Sequence, residues 1–358
     1  MRIDDSSIRV NRNTCIACGI CVDRCIMDNL RLSVAPCRQV CPIGMNCQGY
    51  IRLIAMDKEE QALSQLIPFG PFVPLISATC TAPCETACAR RKEDGAVHIL
   101  ELKRYMAKKY SKELYNIQRS VVRSKKSVAV VGAGVSGLAS GFKAILCGHS
   151  VTIYAKPSDK NDIDDFINKI VTSLEAADVV FRYDSASEKN IPDLHLFDAI
   201  ILSRPEDQSL VNADLLIKRG DYEIDTSTHL LTGNIFSCNT GSSEKKDPVF
   251  EIASAFETVE SVNRYLDEEP LDWGRGFYTQ DGAVKAYKVD RRVGNDEPRA
   301  LQEELVDGLD GETAKVQASR CFGCGRAFEK NQTCWYCLPC ELECPQGALE
   351  VRIPYLVR

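Results

Sequence analysis

The stretch SVAVVGAGVSGLASGFKAILCGHSVTIYA, Ser127–Ala155, decides how the middle of the chain folds. A β-branched run, Val128–Val131, reads as a buried strand. It runs into Gly132-x-Gly134-x-x-Gly137, then a helical pattern, then a second strand over Ser150–Tyr154. Strand, glycine loop and helix in this order form a dinucleotide-binding fingerprint. The glycines permit a tight turn and let a pyrophosphate approach the helix N-terminus. An α/β, Rossmann-like domain is therefore expected over residues 126–270, with Gly132, Gly134 and Gly137 as cofactor-binding candidates. The position that should carry a ribose-binding acid is Ala155, followed by Lys156, with Asp159 as the nearest substitute.

Around this core the composition is that of a globular chain. It has 358 residues, 44% apolar and 26% charged, enough for two or three domains. The formal charge of −6 argues against a nucleic-acid binder, which normally carries a basic excess. No apolar run approaches the roughly 18 residues of a membrane span. The opening MRIDDSSIRV has no apolar core of a signal peptide, so a cytoplasmic setting is expected.

Eighteen cysteines are the outlier. Ten lie between Cys15 and Cys88, six between Cys321 and Cys344, and Cys147 and Cys238 stand apart. CIACGICVDRC (Cys15, Cys18, Cys21, Cys25) is C-x2-C-x2-C-x3-C. CWYCLPCELECP repeats that spacing at Cys334, Cys337, Cys340 and Cys344, followed by Pro345. Both match the bacterial ferredoxin run for 4Fe-4S clusters. Zinc also takes CxxC pairs, but more often as two separated pairs. Ferredoxin-like segments are expected at 1–30 and 313–358, with a polar linker over 271–312.

A third group, PCRQVCPIGMNC (Cys37, Cys41, Cys47) and CTAPCETAC (Cys80, Cys84, Cys88), flanks a helical stretch. With "ALSQLI" and "VHILELKRY", it closely resembles the N-terminal iron–sulfur module of the glutamate synthase small subunit. Dihydropyrimidine dehydrogenase and other FAD-dependent pyridine-nucleotide oxidoreductases carry the same module. The resemblance implies a helical iron–sulfur module over 31–120, followed by a flavin-binding domain. In that family a segment like TGNIFSCNTGS (Thr232–Ser242) brings an aspartate to the flavin; here the position is Asn239, a further cofactor-binding candidate. FDAIILSRPED (Phe197–Asp207) also departs from the family, ending Ser203-Arg204-Pro205. Bound FAD and a vacant scaffold both stay open. The family's inserted NAD(P)H domain is missing, because about thirty residues separate the two segments and a domain needs more.

Sixteen clustered cysteines suit about four 4Fe-4S clusters. The family takes a CxxC pair from a segment like "ASRCFGCG", which here lies near the C-terminus. The resemblance therefore groups Cys321 and Cys324 with Cys37 and Cys88. It groups Cys41, Cys47, Cys80 and Cys84 together, with Cys47 replacing a non-cysteine ligand that relatives carry near the position of Lys103. In two-cluster ferredoxins the fourth cysteine of each run serves the other cluster. Cys15, Cys18, Cys21 and Cys344 would then share one cluster, and Cys334, Cys337, Cys340 and Cys25 another. The basic stretch Leu102–Lys126 reads as a solvated helix and linker.

The implied function is an electron-transfer subunit relaying electrons through these clusters within a larger anaerobic oxidoreductase complex. Its partners would be other redox subunits or a ferredoxin. No catalytic constellation is legible, and whether the chain is an enzyme in its own right stays open. The alternatives are an FAD-dependent oxidoreductase subunit exchanging electrons with a two-electron donor, and a structural or assembly subunit. The substrate partner, the direction of flow and the potentials are not in the sequence.

Overall fold

The computed structural model describes residues 7–119, 124, 126–155, 165–183, 194–203, 228–238, 247–272, 308–330 and 334–352. Its strands are β1 (Ile8–Val10), β2 (Leu30–Ser33), β3 (Ser127–Val131), β4 (Ser150–Tyr154), β5 (Val180–Arg182), β6 (Ala199–Leu202), β7 (Leu230–Thr232), β8 (Ile235–Ser237), β9 (Arg326–Glu329) and β10 (Leu349–Val351). The chain divides into two compact units. The first comprises Met1–Pro68, Thr81–Met106 and Phe277–Arg358; the second comprises Phe69–Cys80 and Ala107–Gly276.

The second unit is a six-stranded sheet in the order β5-β4-β3-β6-β8-β7. All pairings are parallel except β7 on β8. In chain order the parallel strands run 3-2-1-4-5, the arrangement of a doubly wound α/β sheet. The sequence explains the centre: AIIL of β6 is buried throughout, and SVAVV of β3 is buried from Val128 onward. Such continuous apolar runs suit strands covered on both faces. The helix Val135–Leu146 links β3 to β4, and Asp165–Ala176 lies between β4 and β5. The helix Pro248–Leu266 packs along Val135–Leu146. Its first turn is set by Pro248 and by Asp247, whose carboxylate accepts the Val249 N–H at 2.8 Å.

The glycine loop is built by contact. Gly132 takes φ +100°, open to glycine at little cost. A Cβ on Gly137 would stand 1.9 Å from the Gly132 carbonyl and 3.1 Å from Ser203 Cβ. The third glycine thus lets the helix start lie against the β3 turn.

In the first unit the two ends of the chain pair. β1 lies antiparallel to β10, with Ile8 opposite Val351, and β2 lies antiparallel to β9, with Leu30 opposite Glu329. The lobe's small core holds Ile8, Leu30, Cys340 and Leu349, with Cys21, Cys25, Cys334 and Cys344 packed against it. Buried Asn29 reinforces the seam, its Nδ2 donating to Glu329 Oε1 at 2.7 Å. The Arg24–Glu343 pair across it, at 2.6 Å, is roughly half exposed on both sides and contributes about 0–1 kcal/mol.

The C-terminal arm also docks on the helical module. The helix Gly311–Ser319, started by an Asp310/Thr313 capping box, packs against the helix Cys47–Ala55. Just beyond it, the buried Gln48 amide grips Gly325: Nε2 donates to the Gly325 carbonyl and Oε1 accepts its N–H, both at 2.8 Å. A Cβ on Gly325 would meet the Ser33 carbonyl at 2.6 Å. The expected linker over 271–312 falls largely on residues 273–307, outside the described residues.

Three outcomes test this packing. Gly137→Ala should cost more than about 4 kcal/mol, because the clash is with backbone. Gly141→Ala meets only the flexible Ile153 Cδ1, at 2.8 Å, and should cost about 1–3 kcal/mol. Gln48→Leu should cost about 2–4 kcal/mol by leaving both Gly325 backbone groups buried without partners. Denaturant midpoints of the three variants measure the ranking. Buried His149 supplies a pH dependence: burial holds its imidazole below the ordinary value, against the pull of Asn263 Oδ1 at 3.2 Å from Nε2. The unfolded chain therefore protonates first, and stability present above pH about 6.5 is lost as pH falls below it. Thermal melts followed by circular dichroism should show that loss in the wild type and a flatter profile in His149→Asn.

Candidate metal centres

Both ferredoxin-type runs fold into the same local shape. In Cys15-Ile16-Ala17-Cys18-Gly19-Ile20-Cys21, Ala17 and Gly19 are left-handed, at φ +50° and +94°. In Cys334-Trp335-Tyr336-Cys337-Leu338-Pro339-Cys340, Tyr336 and Leu338 match them, at +57° and +72°. The short C-x2-C pair of the C-terminal arm repeats the first half, with Gly323 at +61° before Cys324. Alternating right- and left-handed residues turn successive N–H groups to one side, making a concavity suited to negative charge. Ala17, Tyr336 and Leu338 adopt this conformation with a Cβ, at about 1–2 kcal/mol each.

Backbone amides reach the thiols. The Tyr336 N–H donates to Cys334 Sγ at 3.4 Å. The residues after each run behave alike: Asn29 N–H donates to Cys25 Sγ at 3.3 Å, and Ala348 N–H to Cys344 Sγ at 3.2 Å. Each run is thus a strand, a cysteine loop and a strand, related to the other across the β1–β10 and β2–β9 seams.

The loops close around hollows. One is lined by Cys15, Cys18, Cys21 and Cys344. A second is lined by Cys25, Cys334, Cys337 and Cys340. The fourth cysteine of each run therefore lines the other run's hollow. A third hollow is lined by Cys37, Cys88, Cys321 and Cys324. Arg320 anchors its C-terminal edge on the carbonyls of Asp94, Gly95 and Ala96, at 2.9–3.2 Å. The Arg90 guanidinium lies 4.7 Å over the Phe322 ring. Burial pushes several lining thiols up: Cys21 to about 12, Cys321 to about 11 and Cys340 to about 11. Among the described residues, no three His, Cys, Asp or Glu side chains are placed to grip a single ion.

The remaining cysteines of the module crowd around buried Cys47, whose thiol is hydrogen-bonded with Cys37, Cys41 and Cys84. Those bonds push Cys47 well up and bring Cys41 down to about 6, the latter helped by the Lys103 ammonium. Buried Tyr50, one turn along from Cys47, donates to the Ile99 carbonyl at 3.0 Å. Cys80 ends the helix Val73–Thr79 and belongs to the other unit. Lys103 corrects the solvated-helix reading of Leu102–Lys126: it is 2% exposed, on the inward stripe with Ile99, Leu102 and Met106. Its spacing on that stripe was the available signal, masked by the surrounding positive charge.

The glycine-loop site is less complete. Gly134 caps the helix Val135–Leu146, and Ser136 Oγ turns onto the Ser203 carbonyl at 2.9 Å. Ala155, immediately after β4, is fully buried, with its N–H on the Arg182 carbonyl at 3.0 Å; it offers a ribose no side-chain acceptor. Cys238 is buried 3.1 Å from Ser140 Oγ, and Cys147 is half-buried at the helix C-cap. Asn239, Lys156, Asp159, Arg204 and Pro205 lie outside the described residues. No helix among the described residues is long and apolar enough to cross a membrane.

Residues 11–114 match the family model of dihydropyrimidine dehydrogenase domain II, 4Fe-4S cluster. The chain is 29% identical over 176 residues to YgfK of Escherichia coli (strain K12), covering 45% of this chain and 17% of that protein. It is 33% identical over 123 residues to the NADPH-Fe(3+) oxidoreductase subunit beta of Geobacter sulfurreducens, covering 34% and 18%. It is 31% identical over 118 residues to the glutamate synthase [NADPH] small chain of Bacillus subtilis (strain 168), covering 32% and 24%. The chain thus spans less than a quarter of the length of each of these relatives. Residues 11–114 are similar to a 4Fe-4S domain of the dihydropyrimidine dehydrogenase domain II type, and about a third of the chain is similar to a glutamate synthase small chain.

Proposed function

We propose that the chain is an electron-transfer subunit that carries four 4Fe-4S clusters and passes single electrons between partner subunits of an oxidoreductase complex. The observation that carries this reading is the set of three hollows, each lined by four cysteines drawn from distant parts of the chain. Zinc would draw its sulfurs to within about 2.3 Å of one ion. Two continuous C-x2-C-x2-C-x3-C runs, with backbone N–H groups donating to the sulfurs of Cys25, Cys334 and Cys344, suit a multi-atom, negatively charged cluster instead. The fourth set is Cys41, Cys47 and Cys84, with Cys80 joined to them by its C-x3-C spacing to Cys84. Two of the relatives bear the names of a subunit and a small chain, which supports a setting among partner proteins. The chain's part is to set spacing, burial and hydrogen bonds; the redox chemistry is that of the clusters when bound. A cytoplasmic, anaerobic setting belongs to the same reading.

A second reading, with FAD on the α/β unit, is favoured by one observation. Gly134 has φ −69° and ψ 178°, extended backbone that any residue adopts. Unlike that of Gly132, its conformation does not demand the lack of a side chain, and an approaching pyrophosphate would use the room. Buried Ala155 counts against the adenosine side of such a site.

Anoxically isolated protein decides both points. The relay predicts about sixteen iron per chain with sulfide to match, and no stoichiometric flavin on acid release. Iron-free protein, or protein holding zinc, would reject it. Cys25→Ser should disturb the cluster of Cys334, Cys337 and Cys340, leaving that of Cys15, Cys18 and Cys21 intact. Electron paramagnetic resonance of the reduced protein should then show one altered or missing signal and about four iron lost at most.

A further inference from the structure

The C-x2-C loop of the C-terminal arm departs from the two ferredoxin-type runs at one position. The residue before its second cysteine, Gly323, is left-handed at φ +61°, as are Ala17 at +50° and Tyr336 at +57° in the matching places. Those two carry a Cβ in that conformation, so backbone geometry alone does not call for glycine at 323. A side chain takes the room instead. A Cβ on Gly323 would fall onto Arg52 Nη1 and stand 3.1 Å from Arg52 Cζ and 3.5 Å from its Cδ.

The helix Cys47–Ala55 delivers that side chain. Gln48 and Arg52 are one turn apart on one face, and they meet Gly325 and Gly323 of the same arm. The other limb of the guanidinium, Nη2, donates to the Asn13 carbonyl, two residues before Cys15. Arg52 thus ties the Cys321–Cys324 loop to the backbone that leads into the N-terminal run. Its Nε is shut away from water and has no hydrogen-bond partner. The cations on the other side of this loop share one acid: Arg90 pairs with Asp94 at 2.5 Å, and Arg320 with the same carboxylate at 3.1 Å. Arg52 pairs with no carboxylate among the described residues. A guanidinium does not lose its proton in a protein, so the charge is permanent.

We propose that Arg52 is a fixed counter-charge for the cluster of Cys37, Cys88, Cys321 and Cys324, seated by Gly323 and anchored on the Asn13 carbonyl, and that it raises the reduction potential of that cluster. This rests on reading those four cysteines as cluster ligands. Reduction takes one electron from a one-electron donor and adds one negative charge, with no bond made or broken. A positive charge held nearby in a partly buried site stabilises the reduced form more than the oxidised form, and net charge is among the determinants of cluster potential. Arg52 touches the loop, while other residues line the hollow. It is a positioning residue that acts through its field and touches no substrate.

The test is a potentiometric titration of the anoxically isolated full chain, followed by electron paramagnetic resonance, with iron analysis of the same samples. Cys324→Ser identifies the signal of this cluster as the one it alters. Wild-type protein lacking about sixteen iron per chain would sink the four-cluster reading, and the role of Arg52 with it. With the iron present, Arg52→Met should move that signal's midpoint to lower potential, and Arg52→Lys, which keeps the charge, should hold it at the wild-type value. Full iron in Arg52→Met with the midpoint unmoved overturns the proposal and leaves the four-cluster reading standing. Equal lowering in both variants also overturns it, because charge is then not the cause. If Arg52→Met loses iron, Arg52→Lys decides: full iron at the wild-type midpoint supports the counter-charge, and loss of the same iron or a lowered midpoint overturns it.

Discussion

The structure hangs on the pairing of the two ends of the chain. β1 on β10 and β2 on β9 are ladders of three and four residues, and ribbons this short are not stable alone. Closing a loop of over three hundred residues adds a cost of about 5 kcal/mol by logarithmic scaling. The lobe these ladders enclose has a small core in which cysteines are as prominent as aliphatic side chains. Little apolar area is available to offset the closure. On the proposed reading, metal–thiolate bonds supply what the core lacks, because ligands organised only in the folded state make binding energy into folding energy.

The crossing of the fourth cysteines follows from the same pairing. Each run ends in a one-turn helix, Ile20–Asp23 or Pro339–Leu342, that carries its last cysteine away from its own loop. Antiparallel docking of the strands then brings that cysteine to the other loop's hollow. Cys25 and Cys344 consequently join segments more than three hundred residues apart. The Gln48–Gly325 clamp and the Arg320 contacts tie a third terminal element to the helical module in the same manner. A cysteine pair near the C-terminus thereby stands beside Cys37 and Cys88.

Much of this was legible because cysteine spacing is a local property with non-local consequences. C-x2-C-x2-C-x3-C places three thiols on one loop and the fourth beyond it, and ten and six are not multiples of four, so the two ends share a cluster if every cluster takes four cysteines. The α/β unit was legible from the strand–glycine–helix order. What escaped was set by tertiary contact. Lys103 lies in a basic run, and nothing in charge patterning separates a buried lysine from a solvated one; its place on the Ile99–Met106 stripe does. The grip of Gln48 on Gly325 joins residues 277 apart in sequence and has no local signature. Residues 69–80 and 107–119 pack with the α/β unit, although their motifs read as continuous with the iron–sulfur module.

The glycine loop shows how a fingerprint can outlast part of its purpose. Gly132 is fixed by its backbone conformation, and Gly137 by its approach to the Gly132 carbonyl. Both would be required of this sheet whether or not a nucleotide were bound, so their presence speaks for the fold. Ala155 is different: an acid there would bind a ribose, and the sheet has no use for it, with its N–H already satisfied by Arg182. The pattern keeps what packing demands and lacks what the adenosine side of a ligand would demand. Gly134 lies between these cases, because its extended backbone does not require a glycine. The weight of a G-x-G-x-x-G motif as evidence of binding therefore rests, in this chain, more on its middle glycine than on Gly132 or Gly137.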